Sequence, residues 1–244
     1  MHQTSLTKND IKEYFITWGG LALIEFLVTE RNNIGTKFKT CLDIGSGEGV
    51  HTAILRHAGL EVFQVDKYST ISEYKVDFIE HKFDRKFDVV FCSHVIEHQR
   101  NVGLFLDKIF DILSDDGVLI ISAPKEDHNL IEGHLNSFIF PLFLQQMIHA
   151  GFDCKGGKFL STIENSFIVS KADNFDMSER LENGYQWTEK HRNRSPIELK
   201  TSSVDMLFHN CQYIQPNLTL KLPKNYWSYG IIINMERWNL KFNT

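Results

Sequence analysis

The chain has 244 residues, of which 42% are apolar and 23% charged, with 19 phenylalanines. That is enough for one α/β domain with an extension, and it gives no reason to expect a long disordered segment. A formal net charge of −5 argues against a nucleic-acid binder, which carries a basic surplus over a face or domain. The densest basic run, Lys190 to Arg194, reads as a solvated loop.

Cys41, Cys92, Cys154 and Cys211 are far apart and form no CxxC pair. Cys41 and Cys92 lie in apolar runs, where a free thiol behaves as a small buried hydrophobe. The expectation is a reduced, cytoplasmic protein without a disulfide framework. The apolar run at the N-terminus has neither a basic lead-in nor a small-residue cleavage site. The longest apolar stretch, Ile16 to Val28, contains Glu25 and is too short to span a bilayer, so membrane insertion is not expected.

In chain order, apolar residues at three- and four-residue steps predict a helix from Ser5 to Arg31. Lys39 to Ile44 is a short apolar strand running into a glycine loop. A helix follows over Val50–Ala58, then a strand over Glu61–Val65 that ends at Asp66, and a third short strand candidate at Tyr74–Phe78. Phe87–Cys92 is a buried strand, Asn101–Leu113 an amphipathic helix, Asp115–Gly117 a turn, Val118–Ser122 another apolar strand, and Ser137–Ala150 a helix ended by Gly151. Alternation of helices with short, continuous apolar strands predicts an α/β fold. The expected sheet is doubly wound, mostly parallel and seven-stranded, with an N-terminal helix and a C-terminal extension. Ligands of such sheets bind beyond the carboxyl ends of the strands. Past Gly151, Phe152–Leu160 and Ser166–Lys171 read as an antiparallel hairpin, residues from Ala172 to about Lys200 as polar loop, and Gln212–Leu222 and Tyr226–Glu236 as two further strands. Either Ser166–Lys171 or Gly230–Glu236 can close the sheet, and the first is preferred. The expected division is residues 1–36 as an N-terminal helical cap, 37–171 as a cofactor-binding domain, and 172–244 as a substrate-side lid or subunit contact.

The loop Asp43-Ile44-Gly45-Ser46-Gly47-Glu48-Gly49 follows a strand and precedes a helix. Its glycines permit a tight turn and a close backbone approach to a ligand. A dinucleotide fingerprint wants glycine at position 50, which is Val50; the third glycine comes instead at 49. Asp43, two residues before the first glycine, would repel a pyrophosphate and attract the ammonium of an amino-acid moiety. Asp66, about twenty residues on, sits where a carboxylate accepts the hydroxyls of a ribose. Lys67 adjoins it. Asp77 and Phe78 stand where a carboxylate and a ring can meet an adenine.

CLDIGSGEG, QVD, FDVVFCSHVIEH and LSDDGVLIISAP resemble, in order and spacing, the class I (Rossmann-like) S-adenosylmethionine-dependent methyltransferases. The likeness extends to the branch whose fourth strand runs into a hydrophobic-Glu-His segment, and it covers roughly residues 38 to 152. It implies S-adenosylmethionine as cofactor and S-adenosylhomocysteine as product. It implies Asp43 on the methionine amino group, Gly45, Ser46, Gly47 and Gly49 lining the cofactor, Asp66 on the ribose, and the backbone at Ser93 and His94 beside the methionine. Nothing distinctive is recognised in the last third.

His94-Val95-Ile96-Glu97-His98 formally matches H-x-x-E-H, a zinc-protease pattern, but that pattern needs a helix and here it follows a strand. Histidines near neutral pKa are suitable proton acceptors for methylation of a hydroxyl. His98 lies beyond the fourth strand, and His128 and His134 beyond the fifth. In the resembling branch a histidine matching His134 often precedes the substrate-side helix. His98 and His134 are the candidate catalytic residues, with packing or helix capping as the competing role. Glu97, Asp127 and Glu132 are oxygen donors of the kind hard cations prefer. Nothing in the sequence fixes their geometry, and no metal is assigned. The acceptor expected is a small molecule or glycan precursor: a sugar, nucleotide-sugar or cell-surface polysaccharide precursor methylated on oxygen. Two alternatives are a quinone- or lipid-like metabolite, bound on a Phe138/Phe140/Leu142/Phe143 face, and a non-catalytic cofactor-binding scaffold. A homodimer is left open. The tail's Trp187, Tyr226, Trp227, Tyr229 and Trp238 read as core packing or a subunit contact.

Overall fold

A computed structural model of the chain describes residues 13–16, 19–125, 131–161, 164–178, 193–194 and 231–234. The elements are β1 (Glu13–Ile16), α1 (Gly20–Thr29), β2 (Thr40–Ile44), α2 (Val50–His57), β3 (Glu61–Val65), β4 (Phe87–Ser93), α3 (Val102–Ile112), β5 (Leu113–Pro124), α4 (Phe140–His149), β6 (Phe152–Ser161), β7 (Glu164–Lys171) and β8 (Ile231–Asn234). A single 3₁₀ turn, Ile96–His98, lies between β4 and α3.

Six strands form one mixed sheet in the order β3-β2-β4-β5-β7-β6. β3, β2, β4 and β5 are mutually parallel, and β7 is antiparallel to both of its neighbours. From β2 the chain winds outward to β3 and then returns to place β4 on the other side. The order therefore reverses between β2 and β4, the position where open α/β sheets bind ligands.

Alternate strand residues feed two cores. Cys41, Val89, Phe91, Val118 and Ile120 pack with α1 and α2. Leu42, Ile44, Val90, Cys92, Leu119 and Ile121 pack with α3 and α4. A strand buried on both faces must be apolar throughout, which is why these runs do not alternate in polarity.

Several elements differ from the sequence reading. The single helix expected over Ser5–Arg31 is instead a strand at Glu13–Ile16 and a helix beginning at Gly20; residues 5–12 and 17–18 lie outside the described residues. The break is at Gly19, which has φ 75° and approaches so closely that a Cβ there would lie 2.2 Å from Ser93 Oγ. The seven-stranded, mostly parallel sheet is a six-stranded mixed one. At Tyr74 the expected edge strand is reduced to one parallel bridge with Val65. Beyond it Asp77 takes over the backbone: its Oδ1 accepts from Ile79 N–H, and its carbonyl from Glu80 and His81 N–H. A local turn thus wins over a ladder. The turn at Asp115–Gly117 is an interruption within β5, where Phe87 pairs with Leu113 but Val89 already pairs with Val118. α4 starts at Phe140 rather than Ser137, with Pro141 in its first turn, the position where a missing N–H costs nothing.

The hairpin β6–β7 is as expected, and β7 rather than the 230–236 segment joins the sheet. Ile231–Asn234 pairs antiparallel with Glu13–Ile16 in a separate two-stranded sheet. The strand expected at Gln212–Leu222, the loop segment from 179 to 192 and Trp187, Trp227 and Trp238 lie outside the described residues.

Candidate active site

The loop after β2 is built on three left-handed glycines, with φ 71° at Gly45, 52° at Gly47 and 78° at Gly49. L-residues with side chains pay for that conformation, and β-branched ones most. A Cβ on Gly45 would lie 2.2 Å from Val95 Cγ2, whereas one on Gly47 would meet nothing within 4 Å. The backbone at Gly47 thus faces open space. Gly45 N–H donates to Val65 O at 2.8 Å.

Asp66, at the end of β3, holds the loop. Its Oδ2 accepts from Gly47 N–H at 2.9 Å, and its Oδ1 from Tyr68 N–H at 2.7 Å and Ser69 N–H at 2.9 Å. Ser69 Oγ donates back to Gly47 O, and Ser46 Oγ lies 2.7 Å from Ser72 Oγ. The ends of β2 and β3 are therefore one rigid unit. Lys67 pairs with Asp77 at 3.3 Å on the surface, and that contact raises the lysine pKa. Phe78 is 7% exposed and packs on Phe105 and Phe83 beneath Lys108, so its ring belongs to the core.

Asp43 is buried and accepts a hydrogen bond from Thr52 Oγ1 on α2. Burial raises its pKa from 3.8 to about 7, against the lowering effect of the Thr52 bond.

Beyond β4, Ser93 leads into His94, a non-glycine residue at φ 53°. Strain of this kind collects at functional sites. His94 Nε2 lies 2.7 Å from Glu164 Oε2, and Nδ1 lies 3.4 Å from Glu97 Oε1. Glu164, buried on β7, also accepts from Gly19 N–H with both oxygens at 2.9 Å. His51 on α2 lies against Phe91, and its Nε2 is buried without a hydrogen bond; burial, and then His94, lower its pKa to about 4.

Glu97 is 0% exposed, and burial raises its pKa against the opposing pull of His94, His98 and His134. His98 is exposed, with Nδ1 2.8 Å from Gly133 O. The His98 and His134 rings meet edge to face with centroids 4.9 Å apart. Beyond β5, Glu132 is exposed and Asn136 half-buried, while Asp127 and His128 lie outside the described residues. Phe138, Phe140 and Phe143 are buried in the core, so the apolar acceptor face expected from them does not exist; of that group only Leu142 is exposed.

Over residues 21–150, more than half of its length, the chain matches the protein family described as "Methyltransferase domain". It belongs to the class I S-adenosylmethionine-dependent methyltransferases. Among curated proteins, this methyltransferase is 30% identical over 97 residues to the ubiquinone biosynthesis O-methyltransferase of Rickettsia typhi, covering 34% of this chain and 39% of that protein. It is 31% identical over 116 residues to that of Rickettsia felis, covering 41% and 47%. The matched segment thus spans less than half the length of these relatives. The fold is shared with the Burkholderia thailandensis 1,6-didemethyltoxoflavin-N1-methyltransferase, solved with 1,6-didemethyltoxoflavin and S-adenosylhomocysteine bound. The TM-score is 0.52 at 18% identity, covering 62% of this chain and 79% of that one.

Among the candidates, the methyltransferase fold gathers Gly45, Ser46, Gly47, Asp66 and the Lys67–Asp77 pair in one unit, and His94, Glu97, His98 and His134 in another. Sequence reasoning missed Gly19, Glu164 and His51. The Gly19-Gly20 pair was a readable sign of a helix boundary. Glu164 and His51 carry no local signal, because their partners are distant in the chain.

The raised Asp43 pKa predicts a pH dependence of stability. Between pH 4 and 7 the unfolded chain has released the Asp43 proton while the folded chain retains it, so stability falls as pH rises through this window, by up to about 4 kcal/mol from this group. Asp43→Asn should therefore gain stability over the parent in urea unfolding at pH 8 but not at pH 4. An equal difference at both pH values would contradict the buried, protonated carboxyl.

Proposed function

We propose that this methyltransferase transfers the methyl group of S-adenosylmethionine to a hydroxyl oxygen of a small acceptor. The observation that supports it best is a juxtaposition in a chain of this family. The Asp66-anchored glycine loop follows β2, and the Glu97–His98–His134 cluster follows β4, its immediate neighbour.

In this reading Asp43 ionises against the methionine ammonium, and Ser93 and His94 flank the methionine with their backbone. Gly45, Ser46, Gly47 and Gly49 bring the main chain close to the cofactor. Asp66 receives the ribose hydroxyls on oxygens already oriented by three N–H groups. Lys67 and Asp77 form the rim toward the adenine, and Phe78 supports that rim from the core. Residues 37–171 supply this cofactor chemistry, with 1–36 as an N-terminal cap and 172–244 on the substrate side. Methyl transfer is an in-line displacement at the sulfonium methyl, so holding the acceptor oxygen on that line accounts for much of the rate. His98 and His134 stand where that oxygen would lie.

The acceptor reading we favour is a hydroxylated, quinol-like ring with an apolar portion. Ile131, Leu135, Ile139 and Leu142 are all exposed in the segment that carries His134, and the curated relatives are O-methyltransferases of ubiquinone biosynthesis. A sugar or nucleotide-sugar acceptor is the second reading, favoured by the polar groups Glu97, His98, His134 and Asn136 at the same place.

Incubation with S-adenosylmethionine and a panel of catechols and nucleotide sugars should yield S-adenosylhomocysteine and a methyl ether with the catechols. Turnover of sugars alone would favour the second reading, and turnover of neither, with cofactor bound, a non-catalytic scaffold. Asp66→Ala should weaken cofactor binding by about 1–3 kcal/mol in calorimetry, and unchanged affinity would contradict its ribose role. His98→Ala and His134→Ala should each lower kcat by about 10²–10⁴ while leaving cofactor affinity nearly intact; full activity in both would return them to packing roles.

A further inference from the structure

Among the described residues, Glu97 is a carboxylate buried without the partners its charge needs. Its side chain is fully buried, and neither carboxylate oxygen makes a hydrogen bond. A buried carboxylate without donors is strongly unfavourable unless a cation offsets its charge. His94 Nδ1, 3.4 Å from Oε1, is an ion-pair neighbour without hydrogen-bond geometry, and its other ring nitrogen is engaged by Glu164 at 2.7 Å.

Two further donors converge on the same carboxylate. His98 Nε2 lies 3.9 Å from Glu97 Oε1, and one ligand atom each from Glu97, His98 and His134 lie within 4.8 Å of one another. The tautomer of His98 follows from its partner. Gly133 O can only accept, so Nδ1 carries the proton and Nε2 presents its lone pair to the cluster. A ligating histidine typically donates its second N–H to a carbonyl in this way.

The backbone fixes the third donor. Leu135 and Asn136 N–H donate to Glu97 O at 2.8 and 3.1 Å, and Asn136 Nδ2 donates to Gln99 O at 2.7 Å. The segment carrying His134 is thereby fastened to the turn carrying Glu97 and His98. Glu97 is fully buried, His134 half-buried and His98 exposed, so the cluster runs from the interior to the surface.

We propose that Glu97, His98 and His134 bind a divalent transition-metal ion of the zinc type, leaving a coordination position open for an acceptor oxygen. Two imidazoles and one carboxylate suit Zn²⁺, Co²⁺ or Fe²⁺ better than Ca²⁺ or Mg²⁺, and three protein ligands leave room for an exogenous oxygen. The ion site stands on geometry alone; its use for an acceptor rests on the methyl-transfer reading. There the acceptor hydroxyl is acidified on the ion and releases its proton to water. The oxygen lone pair forms the O–CH₃ bond as the C–S bond breaks, and S-adenosylhomocysteine leaves with the sulfur pair. The two histidines then act as ligands rather than as the proton acceptors that the sequence pattern suggests. The ligand set also differs from H-x-x-E-H, because His94 is engaged by Glu164 and His134 takes the third place.

The test is titration of the chelator-stripped, dialysed whole chain with Co²⁺ by visible absorption and with Zn²⁺ by calorimetry, alongside Glu97→Gln, His98→Ala and His134→Ala. S-adenosylmethionine binding and thermal melting are measured on every sample. The expected result is one ion per chain in the parent and a loss on the order of 100-fold or more in each variant, with cofactor affinity retained. His98→Ala alters an exposed side chain and keeps the test valid if Glu97→Gln does not fold. No saturable binding of either ion by the parent, or equal binding by the folded variants, would overturn the site and leave the methyl-transfer reading standing. Ion binding without methyl transfer to any acceptor would sink only the use assigned to the ion.

Discussion

Parallel pairing of β3, β2, β4 and β5 brings four successive strand ends to one edge of the sheet, and the chemistry of this protein depends on that constraint. Parallel strands need crossovers, and the crossovers α2 and α3 bury both faces, so polar side chains have few places to converge except at the ends. Close packing there is severe. A Cβ on Gly19 would lie 2.2 Å from Ser93 Oγ and one on Gly45 2.2 Å from Val95 Cγ2, so neither place admits a side chain, and Gly19 lies against β4 and β5 at Ser93 and Ser122. The three left-handed glycines after β2 answer a different demand: the chain must turn from strand to helix at positive φ, with crowding at Gly45 and open space at Gly47.

Three buried carboxylates stand around this edge, and each is handled differently. Glu164 is saturated by the Gly19 N–H and by His94. Asp43 is largely neutralised by burial, with one hydroxyl partner in Thr52. Glu97 has no hydrogen bond. A carboxylate held at the edge of ionisation suits a cationic ligand that arrives with its own charge, and one left without donors suits a resident cation.

Much of this was legible in the chain. The central strands β2, β4 and β5 were legible because continuous apolar runs such as Phe-Asp-Val-Val-Phe-Cys have no other use than a doubly covered sheet. The positions of the glycine loop and of Asp66 at consecutive strand ends were legible because their spacing reflects a strand–turn–helix–strand unit that is local in sequence. What failed was decided by tertiary or competing local forces. Apolar periodicity over 5–31 concealed a break that Gly19 must make against Ser93. The edge strand at Tyr74 gave way to the turn that Asp77 organises. Phe138, Phe140 and Phe143 looked like a binding face, yet they fill the space between α4 and the hairpin. Glu97 was noticed as an oxygen donor, but its isolation is a property of burial, which no spacing reveals.

Binding of S-adenosylmethionine by the loop from Asp43 to Gly49, braced by Asp66, underlies the proposed methyl transfer. It is tested most directly by calorimetric titration of the purified chain and of Gly47→Val with S-adenosylmethionine and S-adenosylhomocysteine. The expected result is micromolar binding of both ligands by the parent and none by the folded variant, in which a β-branched side chain would fill the open face of the loop at φ 52°. A folded parent that binds neither ligand, or a variant that binds as well as the parent, would contradict it.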